Sequence, residues 1–191
     1  MATATRVPAG DGGTLEWTPK GGGSHYVEVD ETVDGNDAST TEVTESNYKS
    51  ILTDLFTIAA LPADFDSANS IQSRIAWKQA GWVDDINGLT IRFQAGSDFA
   101  IRSVTGFHDT TYSIYESAAD TGIAAKTKTE IEAGVINIAG QLTASGMSDG
   151  IVLYVTAVEV VLDYNTTTNT EGGEHPITEQ PMRRPLMVLA H

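Results

Sequence analysis

Apolar and polar positions alternate through the middle of the chain. Ile71, Ser73, Ile75 and Trp77 alternate with Gln72, Arg74, Ala76 and Lys78. Leu89, Ile91 and Phe93 alternate with Thr90, Arg92 and Gln94. Phe99, Ile101 and Ser103 share one side of Phe99–Val104, and Tyr112, Ile114 and Glu116 share one side of Thr110–Glu116. A period of two is the mark of a half-buried strand. Asn87-Gly88, Ser97-Asp98 and His108-Asp109 supply turns between these runs. Strands at about ten-residue spacing predict an all-β chain, an antiparallel β-sandwich with a jelly-roll-like module.

Ile151–Tyr164 is the longest apolar run, rich in β-branched and aromatic residues and free of Gly and Pro. It predicts a long central strand, with a buried helix as the rival reading. By parity, Val152, Tyr154, Thr156, Val158, Val160, Leu162 and Tyr164 form one apolar face. The other face, Ile151 to Asp163, turns polar at Glu159 and Asp163.

Two segments are ambiguous. Ser46 is placed to cap a helix through Ile58, yet Asp54–Ile58 reads equally well as a strand. Glu130–Gln141 is either a helix weakened by Gly134 and Gly140 or a strand with a connecting loop. His25–Asp30 alternates and reads as a short strand before the Asp34-Gly35 turn.

The ends differ in composition. Residues 1–24 are small, polar and Gly-rich, with only Val7, Leu15 and Trp17 as apolar anchors. They read as an extended N-terminal arm, with a disordered tail as the alternative. Residues 165–191 form a Thr/Asn/Gly linker and a second arm. This arm carries Pro176, Pro181 and Pro185 around Arg183-Arg184 and ends in Leu186, Met187, Val188 and Leu189. Such a segment suits addition to a neighbour's sheet or groove, or folding back on its own domain. The sandwich domain is then 25–164.

Composition narrows the function. The 191 residues include 11 basic and 26 acidic side chains, a formal charge of −15. That excess disfavours a nucleic-acid surface and an anionic membrane, and it favours solubility. Cysteine is absent, which excludes disulfides, thiol catalysis and Cys–zinc sites. Met1–Lys20 lacks the apolar core of a signal peptide, and no run reaches the ~18 apolar residues of a spanning helix. Folding in a cytoplasm is expected, and Asn165-Thr166-Thr167 is a chance sequon.

Catalytic patterns are wanting. His25, His108, His175 and His191 lack metal-ligand spacing. His108-Asp109 is an adjacent His–carboxylate pair in a turn, and adjacency is not triad geometry. No nucleophile elbow, phosphate loop or dinucleotide fingerprint occurs. Asp30, Glu31, Asp34 and Asp37 miss the EF-hand pattern, because Thr32 and Thr41 stand where ligands belong. They read as a solvated acidic turn. No catalytic residue, cofactor or metal is expected. Trp77, Trp82 and Tyr112–Tyr115 offer a sugar platform as an alternative to core packing.

In order, Gly21-Gly22-Gly23-Ser24-His25-Tyr26, Val27–Glu31, Asp34-Gly35-Asn36-Asp37, Asp54-Leu55-Phe56, Ile71–Trp77 and the closing Leu162-Asp163-Tyr164 resemble a group of tailed-bacteriophage virion proteins. The resemblance spans roughly Gly21–Tyr164. It implies a single β-sandwich or jelly-roll module of the capsid-decoration (cement) or tail-associated kind, without enzymatic activity. The implied place is the virion, on the outer capsid surface. The implied partners are the major capsid protein and further copies of the chain, as a trimer or other homo-oligomer. The arms would make these contacts through Leu15, Trp17, Arg183, Arg184, Leu186, Met187, Val188 and Leu189. A tail or fibre component, and a carbohydrate-binding sandwich using Trp77, Trp82 and Tyr115, are the alternatives.

Overall fold

The alternating runs form strands at the expected places. The computed structural model describes residues 1–34, 43–45, 51–80, 88–105, 111–141 and 152–167. In chain order the strands are β1 (Ala2–Arg6), β2 (Pro8–Leu15), β3 (Thr18–Pro19), β4 (Val43–Glu45), β5 (Ile51–Ile58), β6 (Phe65–Ala80), β7 (Gly88–Gln94), β8 (Asp98–Thr105), β9 (Ser113–Glu116), β10 (Val135–Gln141) and β11 (Val152–Thr166). One short helix, α1 (Lys128–Glu132), and 3-10 turns at His25–Glu28 and Thr121–Ala125 complete the described elements.

All pairings are antiparallel. One sheet has the order β3-β4-β11-β6-β9, and β1 pairs with β11 as well. The other has the order β2-β5-β10-β7-β8. Number the eight strands from β4 to β11. The sheets then run first–eighth–third–sixth and second–seventh–fourth–fifth. That is the strand order of a jelly roll, a double sheet wound from two Greek keys.

The sheets enclose a single large apolar cluster. Phe56, Trp77, Ile91, Phe93, Ile136, Ile138, Val158 and Leu162 are among its buried members. β11 is the long central strand, paired with β6 along its length. Its faces differ from the parity reading. Leu153 and Val155 belong to the core cluster, and so do Val158, Val160, Leu162 and Tyr164. The register shift between Val155 and Ala157 leaves Thr156 as an extra residue. A bulge inverts the alternation, so Val152 and Tyr154 share the outer face with Ala157 and Glu159.

Ile51–Ile58 is a strand, which resolves the Ser46–Ile58 ambiguity for the described part. Glu130–Gln141 divides into the end of α1 and strand β10. Thr127 caps α1 in a capping box with Glu130. The expected strand at His25–Asp30 is corrected to a 3-10 turn. Its alternation arises because Val29 points into the core and Val27 outward.

Residues 1–24 are largely extended, and their strands lie along the sheets of the same chain. β1 lies on β11, β2 on β5, and β3 on β4. The segment thus crosses from one sheet to the other at Val7 and returns at Trp17. Its small residues permit this. A β-carbon on Gly12 would lie 2.6 Å from the Leu55 carbonyl oxygen, so only glycine lets the two backbones approach so closely. The sandwich also reaches past Tyr164, since Thr167 N–H donates to the Asp64 carbonyl at 2.8 Å.

Candidate functional site

Strand register brings two groups of side chains together on the outer face of the β6–β11 sheet. Cross-strand partners share a face. Lys78 stands opposite Tyr154, Ala76 opposite Ala157, and Arg74 opposite Glu159. On the other flank, Ile114 pairs with Ala76 and Glu116 with Arg74.

The first group centres on a lysine. Lys78 Nζ sits 4.4 Å from the Tyr112 ring centroid and 5.0 Å from that of Tyr154. Each such contact is worth about 0.5–1 kcal/mol when exposed. Among the described residues Lys78 forms no ion pair, which is notable in so acidic a chain. Both tyrosines are half-buried, so ring surface and an ammonium lie together at the protein surface. Ile114, 45% exposed, borders them.

The second group centres on an arginine. Arg74 Nη1 donates to Glu159 and, at 3.1 Å, to Asp34, while its Nε lies 3.5 Å from Glu116. Glu159 is buried, and its second oxygen accepts from Val33 N–H at 3.1 Å. The hydrogen bond to Asp34, with the neighbouring Glu159 charge, raises the Arg74 pKa against the opposing effect of burial. This group pins the Val29–Asp34 segment over the sheet, with Val33 packed on Ala76 and Ala157. Its chemistry is structural: one guanidinium ties together the buried Glu159 and the two exposed carboxylates Asp34 and Glu116.

The opposite sheet carries a polar circuit on its outer face. Asn137 donates to Gln94, Gln94 to Asp98, and Arg92 to Asp98. Elsewhere His25 Nδ1 lies 2.6 Å from Asp54 Oδ2. Asp54 is fully buried, and its other oxygen accepts from Glu16 N–H and Trp17 N–H. One carboxylate thus fastens the N-terminal strands to β5. Alternation did not reveal this pair, because a buried Asp in a strand looks like a polar outward position.

The sequence-derived site residues are dispersed. Trp17 is 3% exposed in the core, and its Nε1 donates to the Leu52 carbonyl at 3.1 Å. Here it is packed within its own chain. Leu15 is 37% exposed on β2. Arg183, Arg184, Leu186, Met187, Val188 and Leu189 lie outside the described residues, as do Trp82 and the His108-Asp109 pair. Trp77 and Tyr115 are core residues, their ring centroids 5.7 Å apart, and offer no platform to a sugar. Among the described residues, the half-buried aromatic rings are those of Tyr26, Tyr112 and Tyr154. Among the described residues no group of three or more His, Asp or Glu side chains is placed to hold a metal. No helix among them is long and apolar enough to cross a membrane.

The strands that end the two sheet paths are poor templates for an added strand, whereas β1, off the path beside β11, keeps an unbroken five-residue register. β3 has two residues and β9 four. β2 has two register shifts, and β8 has one beside Ala100, whose φ is +49°. Short and bulged edges resist pairing with another chain.

No family model and no curated protein sequence matches the chain. Among solved structures it is similar to the CBM36-1 domain of a multidomain xylanase from the hindgut metagenome of Trinervitermes trinervoides. The identity is 9% and the TM-score 0.39, over 86% of this chain and 98% of that one.

Proposed function

We propose that the chain is a structural protein of a tailed-phage particle, a decoration module seated on the outer capsid surface. The observation that carries this reading is the jelly-roll strand order, with the space between the sheets filled by core side chains. Jelly rolls of this order recur in viral shells and in lectins. Fold alone does not give function. The ordered motifs from Gly21 to Tyr164, which resemble phage virion proteins, favour the shell over other uses. The formal charge of −15 suits a surface that must keep large particles apart in solution.

Blunted edges favour contact through a face or through the C-terminal segment over strand addition. That segment keeps its sequence reading as a grip on the shell, with Arg183 and Arg184 ahead of Leu186–Leu189. Quantitative mass spectrometry of purified particles tests the proposal. A ratio to the major shell protein near one, or a simple fraction of it, is expected. A few copies per particle would place the chain in the tail, and absence from particles would overturn the proposal.

A specific observation favours a second reading, a carbohydrate-binding module. Lys78 between Tyr112 and Tyr154 joins ring surface to a hydrogen-bond donor on the outer face of the sheet, the combination that sugars require. Binding to a glycan array that is lost in Y112A and Y154A would support it.

A further inference from the structure

We propose that residues 1–20 are an exchangeable strap. In associated copies, the β1–β3 segment of one chain occupies on its neighbour the edges that it occupies here on its own chain.

The strap's principal contacts lie far away in sequence. β1 pairs Ala2–Arg6 with Val160–Tyr164. β2 pairs with Asp54–Ile58, and β3 with Val43 and Thr44. Trp17 bonds to Leu52 and Asp54 and packs against Gly140. All of these partners lie beyond the Gly21-Gly22-Gly23 joint. A second copy presents the same edges, the same carboxylate and the same glycine. Exchange therefore replaces each contact with an identical one.

What differs is the joint. Gly22, at φ +69°, turns the chain, and its N–H donates to the Pro19 carbonyl at 3.2 Å. Two further bonds hold it closed, Gly21 N–H to Glu28 and Tyr26 N–H to Asp11, each 2.8 Å. Opened out, Lys20 to His25 spans about 16 Å, enough to reach a neighbour packed directly alongside. The close packing of a shell raises the neighbour's effective concentration. Blunted outer edges leave the strap as the segment with a demonstrated fit to these strands.

This inference takes its purpose from the shell reading, but it is tested without particles. The chain has no cysteine, and Thr3 faces Asp163 in register, with Thr3 Oγ1 donating to Asp163 Oδ1 at 2.8 Å. Opposed antiparallel residues have Cα atoms about 4.5–5.5 Å apart, within disulfide range. Full-length T3C and D163C chains with different tags are refolded together at high concentration and oxidised. The expected product is a two-tag dimer, several-fold above a D66C–D163C control mixture. A T3C/D163C double variant that closes within one chain shows that the cysteines pair and the fold survives. With that control positive, a two-tag yield no higher than the D66C control, or a chain that stays monomeric throughout, overturns the proposal. Neither result bears on copy number in particles, so the two readings fail separately.

Discussion

Trp17 and Gly140 are packed so closely that a β-carbon at 140 would come within 2.6 Å of Trp17 Cζ2. Gly140 lies on β10 and Trp17 at the crossing of the N-terminal segment between the sheets. The contact joins the first twenty residues to the middle of the jelly roll. G140A must push the indole aside or move Leu153, whose Cδ1 would be 3.0 Å away. Overpacking of this kind costs about 1–3 kcal/mol, and W17A, which leaves a cavity, about 3–5 kcal/mol. The double variant is expected to lose less than the sum, because the new methyl enters space the indole vacated. Urea unfolding of the four proteins measures the coupling.

Arg74 and Glu159 give a second coupled pair. Glu159 is 1% exposed and its pairing with Arg74 neutralises a charge inside the Val29–Asp34 cover. Removing one partner of a buried ion pair typically costs about 3–5 kcal/mol, whereas replacing both with apolar groups is far cheaper. R74M is therefore expected to destabilise by about 3 kcal/mol, and R74M/E159L by clearly less. A double variant as unstable as R74M would show that the charge pairing is not what holds the segment.

Much of the sandwich was legible because burial imposes a period of two. Ile71–Trp77 and Leu89–Phe93 carry that period and lie in β6 and β7, and the long apolar run ending at Tyr164 forms most of β11 from Val152 on. The N-terminal strands were not legible. Ala2–Arg6 and Pro8–Leu15 pair through their backbones and bury little side chain, so no apolar pattern marks them. Trp17 was visible as an anchor, but a lone Trp in a Gly-rich stretch does not say whose core it enters. The Thr156 bulge carries no signature residue, and it inverted the assigned faces of half of β11. Trp77 and Tyr115 read as a platform because aromatics serve cores and ligands alike. The sequence marks Tyr112 as a platform candidate but does not join Lys78 and Tyr154 to it, because the three come from separate segments.

Ala100 lies in the left-handed region, at φ +49°, beside the irregular pairing of β8 with β7. Its N–H donates to Asp120 at 3.0 Å, which fixes the conformation. A non-glycine residue there bears about 1–2 kcal/mol of strain, while its buried methyl returns about 0.8 kcal/mol. A100G is thus expected to stay within about 1 kcal/mol of the parent, on the stabilising side. A100V adds a branched side chain to the strained backbone and is expected to lose about 2 kcal/mol or more. Equal thermal stability of the two variants would exclude backbone strain at this position.

The capping box of α1 sets a pH dependence of known sign. Thr127 N–H and hydroxyl both donate to Glu130, at 2.9 and 2.8 Å, and Lys126 Nζ lies 3.2 Å away. The bonds from Thr127, then that from Lys126, lower the Glu130 pKa from 4.5 to about 2. A carboxyl with a lowered folded pKa contributes stability that is fully present above its unfolded value near 4.5. That contribution is lost as pH falls from there through about 2. Acid should therefore loosen the start of α1, where Ile131 packs into the core. Carbon-detected NMR titration is expected to place Glu130 well below an ordinary glutamate, and T127A to raise it only part of the way, because the bond from the backbone N–H at 127 and the Lys126 contact remain. A Glu130 midpoint near 4.5 in the parent would mean that the capping box does not hold in solution, and T127A would then leave the acid limb of the stability curve unmoved.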